Sequence, residues 1–273
     1  MEAKLQRRIQ RYGWDLAAAD YEPLWRSQLE VAQKKLLACA SPAPGEKVLD
    51  VACGTGLIAF GAAAAVSPGG HVVGVDLSER MVEAARLRAQ ERRVANARFL
   101  RMDAEQLALA DDSFDVVLCG LGLMYMPDPP QALREMTRVL RPGGRVGLAV
   151  WGERSRCGWS PVFPIVQDEV ASEVCPLFFQ LGQGEALARL CLDANLEVGE
   201  PLRVTATLVY TDAEAASGAA FAGGPVALAW SHFDDATRAR VCTRYIEAIT
   251  PWRHGKGFRL PAEFVILTAI KPV

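Results

Sequence analysis

Basic residues are not in excess in this sequence, and histidine is scarce. The 273 residues contain 30 Lys and Arg against 32 Asp and Glu, which gives a formal net charge of -2. Nucleic-acid binding usually needs a basic surface, so this balance disfavours a nucleic-acid partner. The sequence has three histidines, and its seven cysteines include no C-x-x-C pair. We therefore expect no metal site, no disulfide framework and reduced thiols.

Long apolar runs are also absent. The longest weakly polar stretch, residues 58–66, is rich in alanine and too short to span a bilayer. The N-terminal residues carry charges early and lack the apolar core of a signal peptide. These features predict a cytoplasmic protein with no membrane span. With 51% apolar residues, the chain can bury the core of one elaborated domain.

Short β-branched runs alternate with amphipathic segments from residue 46 to 150. The predicted strands are Lys47–Val51, His71–Val75, Ala97–Met102, Phe114–Cys119 and Arg145–Val150. The predicted helices are Leu57–Val66, Glu79–Arg93 with Ser78 as its N-cap, and Gln131–Leu140, stopped by Pro142-Gly143-Gly144. This alternation implies right-handed βαβ crossovers. We predict an α/β fold with a Rossmann-like, seven-stranded, mostly parallel and doubly wound sheet.

The flanking sequence departs from this alternation and predicts a helical cover over one end of the sheet. Residues 1–40 favour helices without strand partners, and no linker-like tract isolates any segment. Further elements are expected at Glu185–Ala194 and Asp235–Ala248 (helices) and at Val204–Tyr210 and Phe264–Ile270 (strands). We expect one domain over residues 1–273, with its core at about 45–150, 185–210 and 258–273. The cover comprises residues 1–40, 151–184 and 211–257.

The most informative stretch runs from Val48 to Gly56, where a buried strand carrying Asp50 leads into Gly54-Thr55-Gly56. Glycines at such a turn bring main-chain N–H groups close to a ligand. The turn formally satisfies G-x-G-x-x-A, and Asp76 follows at the distance of a ribose-binding carboxylate. A dinucleotide pyrophosphate, however, would meet the negative charge of Asp50. A ligand with a cationic group would be attracted instead, although a Gly-x-Gly turn can also be a simple tight connection.

Two later strand ends carry further candidate residues. Asp103 and Ala104 follow the third predicted strand, where a carboxylate and a backbone N–H could bind an adenine edge. An isolated Asp after a strand is also a common turn or cap residue. Gly120 and Gly122 follow the fourth strand, where they let the backbone pass close to a ligand or form an ordinary loop.

In this order, these segments resemble the class I S-adenosylmethionine-dependent methyltransferases, in particular the ubiquinone/menaquinone-biosynthesis-like (methyltransferase type 11) subgroup. The matching segments are VLDVACGTG (48–56), VVGVDLSERMVEAAR (72–86), RFLRMDAEQL (98–107), DDSFDVVLCGLGLMYMPD (111–128) and ALREMTRVLRPGGRV (132–146). The resemblance covers about residues 45–150. It implies that S-adenosyl-L-methionine is the cofactor, S-adenosyl-L-homocysteine its product, and methyl transfer the activity. Ala52 stands where many relatives have glycine.

The resemblance also implies a role for each matched residue. Those expected along the methionine moiety are Asp50, Gly54, Thr55 and Gly56. Asp76 would bind the ribose hydroxyls, with Leu77 and Met81 packed on the adenine. Asp103 and Ala104 would bind the adenine edge, and Cys119 would present backbone near the sulfonium.

The methyl acceptor and any catalytic base are less constrained. His232 and His254 are the better candidates for a base because both fall in the predicted cover, although a single loop histidine is more often a surface residue. Tyr12, Tyr21 and Tyr125 are weaker alternatives. Aromatic residues outside the nucleotide-binding core favour a small apolar or aromatic acceptor methylated at O, C or N.

Two other functions stay open at this point, an NAD(P)-dependent oxidoreductase and a non-catalytic S-adenosylmethionine-binding protein. The oligomeric state is also open, a homodimer included.

Overall fold

Alternating strands and helices form the centre of the molecule. The computed structural model describes residues 3–170 and 178–273. Within these ranges the strands are β1 (Lys47–Val51), β2 (His71–Asp76), β3 (Ala97–Arg101), β4 (Phe114–Gly120), β5 (Leu140–Trp151), β6 (Glu197–Val198), β7 (Leu202–Tyr210), β8 (Arg253–His254) and β9 (Gly257–Ile270). The α-helices are α1 (Ala3–Ala40), α2 (Leu57–Ala65), α3 (Glu79–Glu91), α4 (Pro129–Val139), α5 (Val162–Val170), α6 (Ala186–Asp193), α7 (Ala213–Phe221), α8 (Ala227–His232) and α9 (Asp235–Ile249).

One sheet contains all of these strands. Seven of them follow the order β3-β2-β1-β4-β5-β9-β6, while β7 and β8 also pair with β9. The pairs from β3 to β5 are parallel, and β9 is antiparallel to each of its partners. This confirms the predicted mostly parallel, Rossmann-like sheet, although the described residues form nine strands and the prediction was seven. The carboxyl ends of β1, β2, β3 and β4 therefore meet at one edge.

Two hydrophobic cores, one on each face of the sheet, make it doubly wound. Successive strand residues alternate between them, so Val48 packs in one core and Leu49 in the other. Helices α2 and α3 cover the first face, and α4 covers the second. Helix α3 begins as predicted, since Ser78 Oγ accepts a hydrogen bond from Met81 N at 3.1 Å.

The Pro-Gly-Gly segment is the clearest local difference from the sequence prediction. Helix α4 ends at Val139, and the next strand begins at once with Leu140 instead of at Arg145. Leu140 pairs with Phe114, and the register then shifts before Val116 pairs with Arg145. Pro142, Gly143 and Gly144 thus form an irregularity within β5 rather than a separate loop. Gly143, at φ +71, supplies the backbone conformation that this bulge requires.

The N-terminal cover is one 38-residue helix, α1, with Pro23 inside it. Proline removes a helical hydrogen bond and often ends a helix. Here the helix continues because one side of it is buried along its length. Trp25, Leu29 and Leu36, for example, belong to the hydrophobic cores. Helix α1 contacts both α7 and α8. Across the described ranges, no helix has an apolar stretch long enough to cross a membrane.

Candidate active site

A cleft opens at the carboxyl edge of the sheet, beneath the N-terminal part of α1. Its empty space, including the solvent mouth, is about 780 Å³, which is within the usual range for small-molecule sites. The strand ends supply one wall and α1 supplies the other. The lining residues from the sheet side include Ala52, Gly54, Val75, Asp76, Leu77, Met81, Met102, Asp103, Ala104 and Glu105, and those from α1 are Arg7, Gln10, Trp14 and Tyr21.

The two glycines after β1 serve different purposes. Both have positive φ, +54 at Gly54 and +88 at Gly56. A Cβ on Gly56 would lie 2.9 Å from the ring of Phe60 and 3.1 Å from that of Phe99, so this glycine permits close packing behind the turn. A Cβ on Gly54 would meet nothing closer than Tyr21 Cε1, at 3.9 Å. Gly54 therefore presents an open stretch of backbone to the cleft.

Asp76 ties the glycine turn to the end of β2. Its Oδ2 accepts a hydrogen bond from Gly54 N, and its Oδ1 accepts one from Ser78 N, both at 2.9 Å. Burial raises the pKa of Asp76 to about 6, although these two amides partly oppose the shift. Each carboxylate oxygen can still accept another hydrogen bond. The side chain therefore both positions the turn and offers acceptors to the cleft.

Asp50 is a buried carboxyl group without a hydrogen bond. The residue is 1% exposed, and neither side-chain oxygen has a hydrogen-bond partner of good geometry among the described residues. Burial, and then the negative charge of Asp76, raises the pKa of Asp50 to about 8, although the nearby backbone N–H of Ala59 partly opposes the shift. An unpaired buried carboxylate is costly. Cation binding next to Asp50 would relieve that cost.

An ion-pair network closes the far end of the cleft. Arg7, on α1, pairs with Glu105 and lies 3.3 Å from Asp103 through its Nε atom and Oδ2. Asp103 Oδ1 accepts from Glu105 N at 3.0 Å, and Glu105 Oε1 accepts from Asp128 N at 2.9 Å. Glu105 is nearly fully buried, so Arg7 compensates a charge that water cannot reach. This network holds α1 over the backbone of Ala104.

The loop after β4 passes very close to the loop after β1. A Cβ on Gly122 would lie 2.4 Å from the Cβ of Ala52, and one on Gly120 would lie 2.0 Å from Ile58 Cδ1. Ala52 itself has φ +56, a conformation that favours glycine. The β-carbon at residue 52 therefore makes a glycine at residue 122 necessary.

A second cavity lies beside the cleft, and its lining is mainly aromatic; its empty space, including open solvent, is about 310 Å³. Both are lined by Trp14, Tyr21, Leu121 and Tyr125, so they share a wall. The remaining lining residues of the second cavity are Trp25, Leu29, Trp151, Trp159, Gly223, Gly224 and Pro225. No charged side chain of the described chain lines it. We call it the aromatic cavity.

Six of the ten predicted cofactor residues line the cleft, namely Gly54, Asp76, Leu77, Met81, Asp103 and Ala104. The other four are buried behind its wall, namely Asp50, Thr55, Gly56 and Cys119. Burial raises the pKa of the Cys119 thiol to about 12, so it is neutral at physiological pH. Which of these residues contact a cofactor remains a prediction.

The structure brings neither candidate histidine to the cleft. His232, at the end of α8, and His254, in β8, are both exposed, and neither lines the cleft or the aromatic cavity. The assignment of a base to them stays a prediction that the geometry does not favour. Of the weaker alternatives, Tyr21 and Tyr125 line both spaces.

Sequence reasoning missed Arg7 and Gln10 of α1 and also Glu105, whereas Trp14 was among the aromatic residues of the cover from which a pocket lining was expected. The only available signal was the aromatic content of the predicted cover. The described residues contain no cluster of three or more His, Cys, Asp or Glu side chains suited to a metal ion. Six cysteines are free thiols, while Cys175 lies outside the described residues.

Comparisons with known proteins agree with this fold. Residues 42–158 match a family model described as a methyltransferase domain. A demethylmenaquinone methyltransferase from Listeria welshimeri is 40% identical over 119 residues, which are 44% of this chain and 50% of the relative. Nocamycin O-methyltransferase from Saccharothrix syringae is 37% identical over 135 residues, 50% of this chain and 48% of the relative. The chain thus spans about half the length of these curated relatives.

Among solved structures, the YcgJ protein from Bacillus subtilis superposes with a TM-score of 0.64 at 20% sequence identity. The superposition covers 89% of this chain and 99% of the YcgJ chain. Similarity at this identity shows the fold, while chemistry has to be argued from the site.

Proposed function

We propose that this chain, whose residues 42–158 match a family model described as a methyltransferase domain, transfers a methyl group from S-adenosylmethionine to a small apolar or aromatic acceptor. The relatives named for demethylmenaquinone and nocamycin methylation support a small-molecule acceptor. The single observation that carries the proposal is the unpaired, buried carboxyl group of Asp50 behind the glycine turn.

That carboxyl group favours a cationic ligand over a dinucleotide. S-adenosylmethionine carries an ammonium and a sulfonium, whereas the pyrophosphate of NAD(P) is an anion. A cation near Asp50 would stabilise the ionised form of this carboxyl group, whereas a pyrophosphate on the turn would raise the free energy of the ionised forms of both Asp50 and Asp76. We therefore disfavour the oxidoreductase alternative.

We assign the cofactor roles as follows. Asp50 and the turn at 54–56 hold the methionine moiety, and Asp76 binds the ribose hydroxyls. Leu77 and Met81 pack on the adenine, while Asp103 and the backbone N–H of Ala104 bind its edge. The backbone after Cys119 borders the reacting sulfur. Among the described residues, six of the ten named here line the cleft, which supports this arrangement.

Methyl transfer requires little from the protein besides alignment and exclusion of water. S-adenosylmethionine supplies a methyl group that is already activated by a positive sulfur. Correct alignment of an in-line attack can contribute on the order of 7–11 kcal/mol. Helix α1 covers the cleft through Trp14 and Tyr21, which would keep water from the reacting atoms.

The cleft offers a poor general base. Burial, together with Asp76 and Asp50, raises the pKa of Tyr21 well above its usual value, so its hydroxyl stays protonated. A neutral phenol donates a hydrogen bond more readily than it removes a proton. We infer that the acceptor provides its own nucleophile, with Tyr21 as a hydrogen-bond donor.

Calorimetric titration of the protein with S-adenosylhomocysteine tests the cofactor assignment. Asp76→Asn should weaken binding about tenfold to a hundredfold, since a hydrogen bond to a charged group contributes roughly 1.5–3 kcal/mol. Asp115→Asn is the control, because Asp115 accepts from Lys47 N at the opposite edge of the sheet. Affinity unchanged by Asp76→Asn, or binding of NADH, would contradict the assignment. Transfer of label from methyl-labelled cofactor to any acceptor would separate an enzyme from a non-catalytic binding protein.

A further inference from the structure

We propose that Asp15, on the N-terminal part of α1, is a positioning residue for the ribose of the cofactor. It acts through Ser78, which in turn holds the carboxylate of Asp76 in the orientation that binds the two ribose hydroxyls. This inference rests on the proposed function, because it takes the assignment of Asp76 to the ribose from there. It adds a specificity-determining residue on the helix that covers the cleft.

The orientation of Asp76 depends on two hydrogen bonds, one to each carboxylate oxygen. Oδ2 accepts from Gly54 N and Oδ1 accepts from Ser78 N, both at 2.9 Å. Two amides bound in this way fix the plane of the carboxylate and leave each oxygen able to accept a hydroxyl group. Asp76 lines the cleft, so a pair of adjacent ribose hydroxyls can reach both oxygens only while this plane is kept. If either amide moves, the side chain can rotate and the pairing is lost.

Ser78 is itself held by Asp15. The serine is fully buried, and its Oγ donates a hydrogen bond to Asp15 Oδ1 at 2.6 Å. A hydroxyl has one hydrogen, so donation to Asp15 leaves a lone pair that accepts from Met81 N at 3.1 Å. A hydrogen bond to an ionised carboxylate is stronger than one between neutral groups. Asp15 therefore fixes Ser78 from the side opposite to the amide that binds Asp76.

Asp15 also caps the helix that begins after Leu77. Its Oδ1 accepts a second hydrogen bond, from Arg80 N at 3.3 Å. The first N–H groups of a helix have no partner within the helix, and a negative charge next to them is stabilising. Ser78 satisfies the N–H of Met81, and Asp15 satisfies that of Arg80. The start of α3, which carries the residues that we assign to the adenine, is thus anchored to α1.

A second side chain of α1 makes an equivalent contact at the adenine end of the cleft. Arg7 pairs with Glu105, which follows Asp103 by two residues. Asp15 likewise bonds a serine that follows Asp76 by two residues. The N-terminal part of α1 therefore contacts the segments after both carboxylates that we assign to the adenosine. Within this arrangement Asp15 is the residue that serves the ribose.

S-adenosylhomocysteine and its 2′,3′-dideoxy analogue test the inference, because they differ only in the ribose hydroxyls. Their dissociation constants are measured by calorimetry at pH 8. At this pH Asp76 is ionised with or without the charge of Asp15, because burial first, and Asp15 to a smaller extent, raises its pKa only to about 6. The ratio of the two constants separates the ribose contact from the overall integrity of the site. We expect the wild type to prefer S-adenosylhomocysteine at least tenfold, the factor of one hydrogen bond to a charged group.

Two substitutions separate the hydrogen bond of Asp15 from its charge. Asp15→Leu removes the acceptor, so the preference should fall to about threefold or less. Asp15→Asn removes the charge but keeps an oxygen that can accept from Ser78 Oγ, so its preference should stay within about twofold of the wild type. Asp20→Leu is the control, because Asp20 is an exposed carboxylate of the same helix, and it should behave like the wild type.

A double-variant cycle measures whether Asp15 acts through Ser78. Ser78→Ala removes the hydroxyl that joins the two side chains, and it should lower the preference about as much as Asp15→Leu. The double variant should then lose no more than either single variant, because residues that act through one hydrogen bond are not additive. Ser78→Ala also provides the test if Asp15→Leu fails to fold.

The inference is overturned if Asp15→Leu or Ser78→Ala keeps the wild-type preference, or if the effects of the two substitutions add. It is also overturned if Asp15→Asn loses as much of the preference as Asp15→Leu, since the hydrogen bond would then not be the cause. Failure of the proposed function would appear separately, in the wild type, as no binding of S-adenosylhomocysteine or no preference over the analogue. Either wild-type result would overturn the inference as well.

Discussion

Asp50 should release a proton when the cofactor binds. Its pKa is about 8 in the free protein, so about nine-tenths of the molecules carry this proton at pH 7. A cation a few ångström away lowers the pKa of a carboxyl group by about 1–3 units. We take a fall of about two units, to about 6, as the expected effect of cofactor binding. Binding at pH 7 should then release about 0.8 proton.

The same shift predicts how Asp50→Asn affects affinity at different pH values. Asparagine resembles the protonated carboxyl group, and a two-unit shift means that ionised Asp50 binds the cation about a hundredfold more tightly. The expected advantage at each pH depends on the fraction of Asp50 that is ionised in the free protein. The wild-type protein should therefore bind the cofactor about twofold more tightly than the variant at pH 6 and about tenfold more tightly at pH 7. The advantage should reach about fiftyfold at pH 8.

Calorimetry in two buffers with different ionisation enthalpies measures the released protons directly. The cofactor's own amino group, with a pKa near 7.7–8.0, contributes to both proteins and cancels in the comparison. Asp115→Asn serves as the control and should behave like the wild type, because this carboxylate accepts from Lys47 N at the other edge of the sheet. Equal proton release by the wild type and Asp50→Asn, or equal affinity at pH 8, would refute the reasoning.

Stability provides an independent readout of the same group. The folded-state pKa of Asp50 lies above the unfolded value of about 3.9, so the unfolded chain loses this proton first as the pH rises. The stabilisation that comes from the raised pKa of Asp50 is therefore fully present below about pH 4. It is lost progressively as the pH rises from about 4 to about 8. Between pH 5 and 7, the free energy of unfolding of the wild type should fall by about 3 kcal/mol relative to Asp50→Asn. Urea unfolding at the two pH values measures this difference.

Two further predictions concern the roof of the cleft, which is the N-terminal part of α1, and the contact between the loops after β1 and β4. Arg7→Met should lower the free energy of unfolding by about 1–3 kcal/mol and speed S-adenosylhomocysteine dissociation, because it leaves the buried carboxylate of Glu105 without its cation. Lys34→Met, which removes an exposed pair with Glu30 on the same helix, should change neither quantity in urea unfolding or stopped-flow release. Gly122→Ala should cost about 1–3 kcal/mol because its Cβ meets that of Ala52. Ala52→Gly should restore most of this loss in the double variant, and simple additivity of the two changes in urea unfolding would contradict that contact.

The sheet could be predicted from the sequence because its determinants are local. Apolar runs bounded by turn residues mark β1 to β4, and Ser78 caps α3 through a bond that spans three residues. The same pattern predicted that Asp50, Asp76 and Asp103 lie near one edge of the sheet, because parallel strands end at one edge. The strand after α4 was predicted to begin at Arg145, but it begins at Leu140 because pairing with Phe114 draws Leu140 into the sheet.

The roof of the cleft could not be predicted because it depends on contacts between distant residues. Arg7 and Glu105 are 98 residues apart, and nothing local marks either as a partner of the other. The same limitation applied to Trp159, whose buried indole N–H has no hydrogen-bond partner in the described structure. A spacing pattern reports which side chains share a face, but it does not report which buried polar atoms are satisfied.

The contrast between the two adjoining spaces constrains the acceptor further. The cofactor cleft borders the carboxyl groups of Asp50 and Asp76, whereas no charged side chain of the described chain lines the aromatic cavity. Neither space has histidine or lysine among its described lining residues, and the Tyr21 hydroxyl stays protonated. An acceptor that loses its proton readily, such as an enol or phenol conjugated to a carbonyl, needs no base from the protein. Attack by an anion on a sulfonium neutralises both charges, a change that an apolar cavity favours. An acceptor series of graded acidity should therefore react faster as its pKa approaches the assay pH from above, and a rate independent of acceptor pKa would indicate a base that this arrangement does not contain.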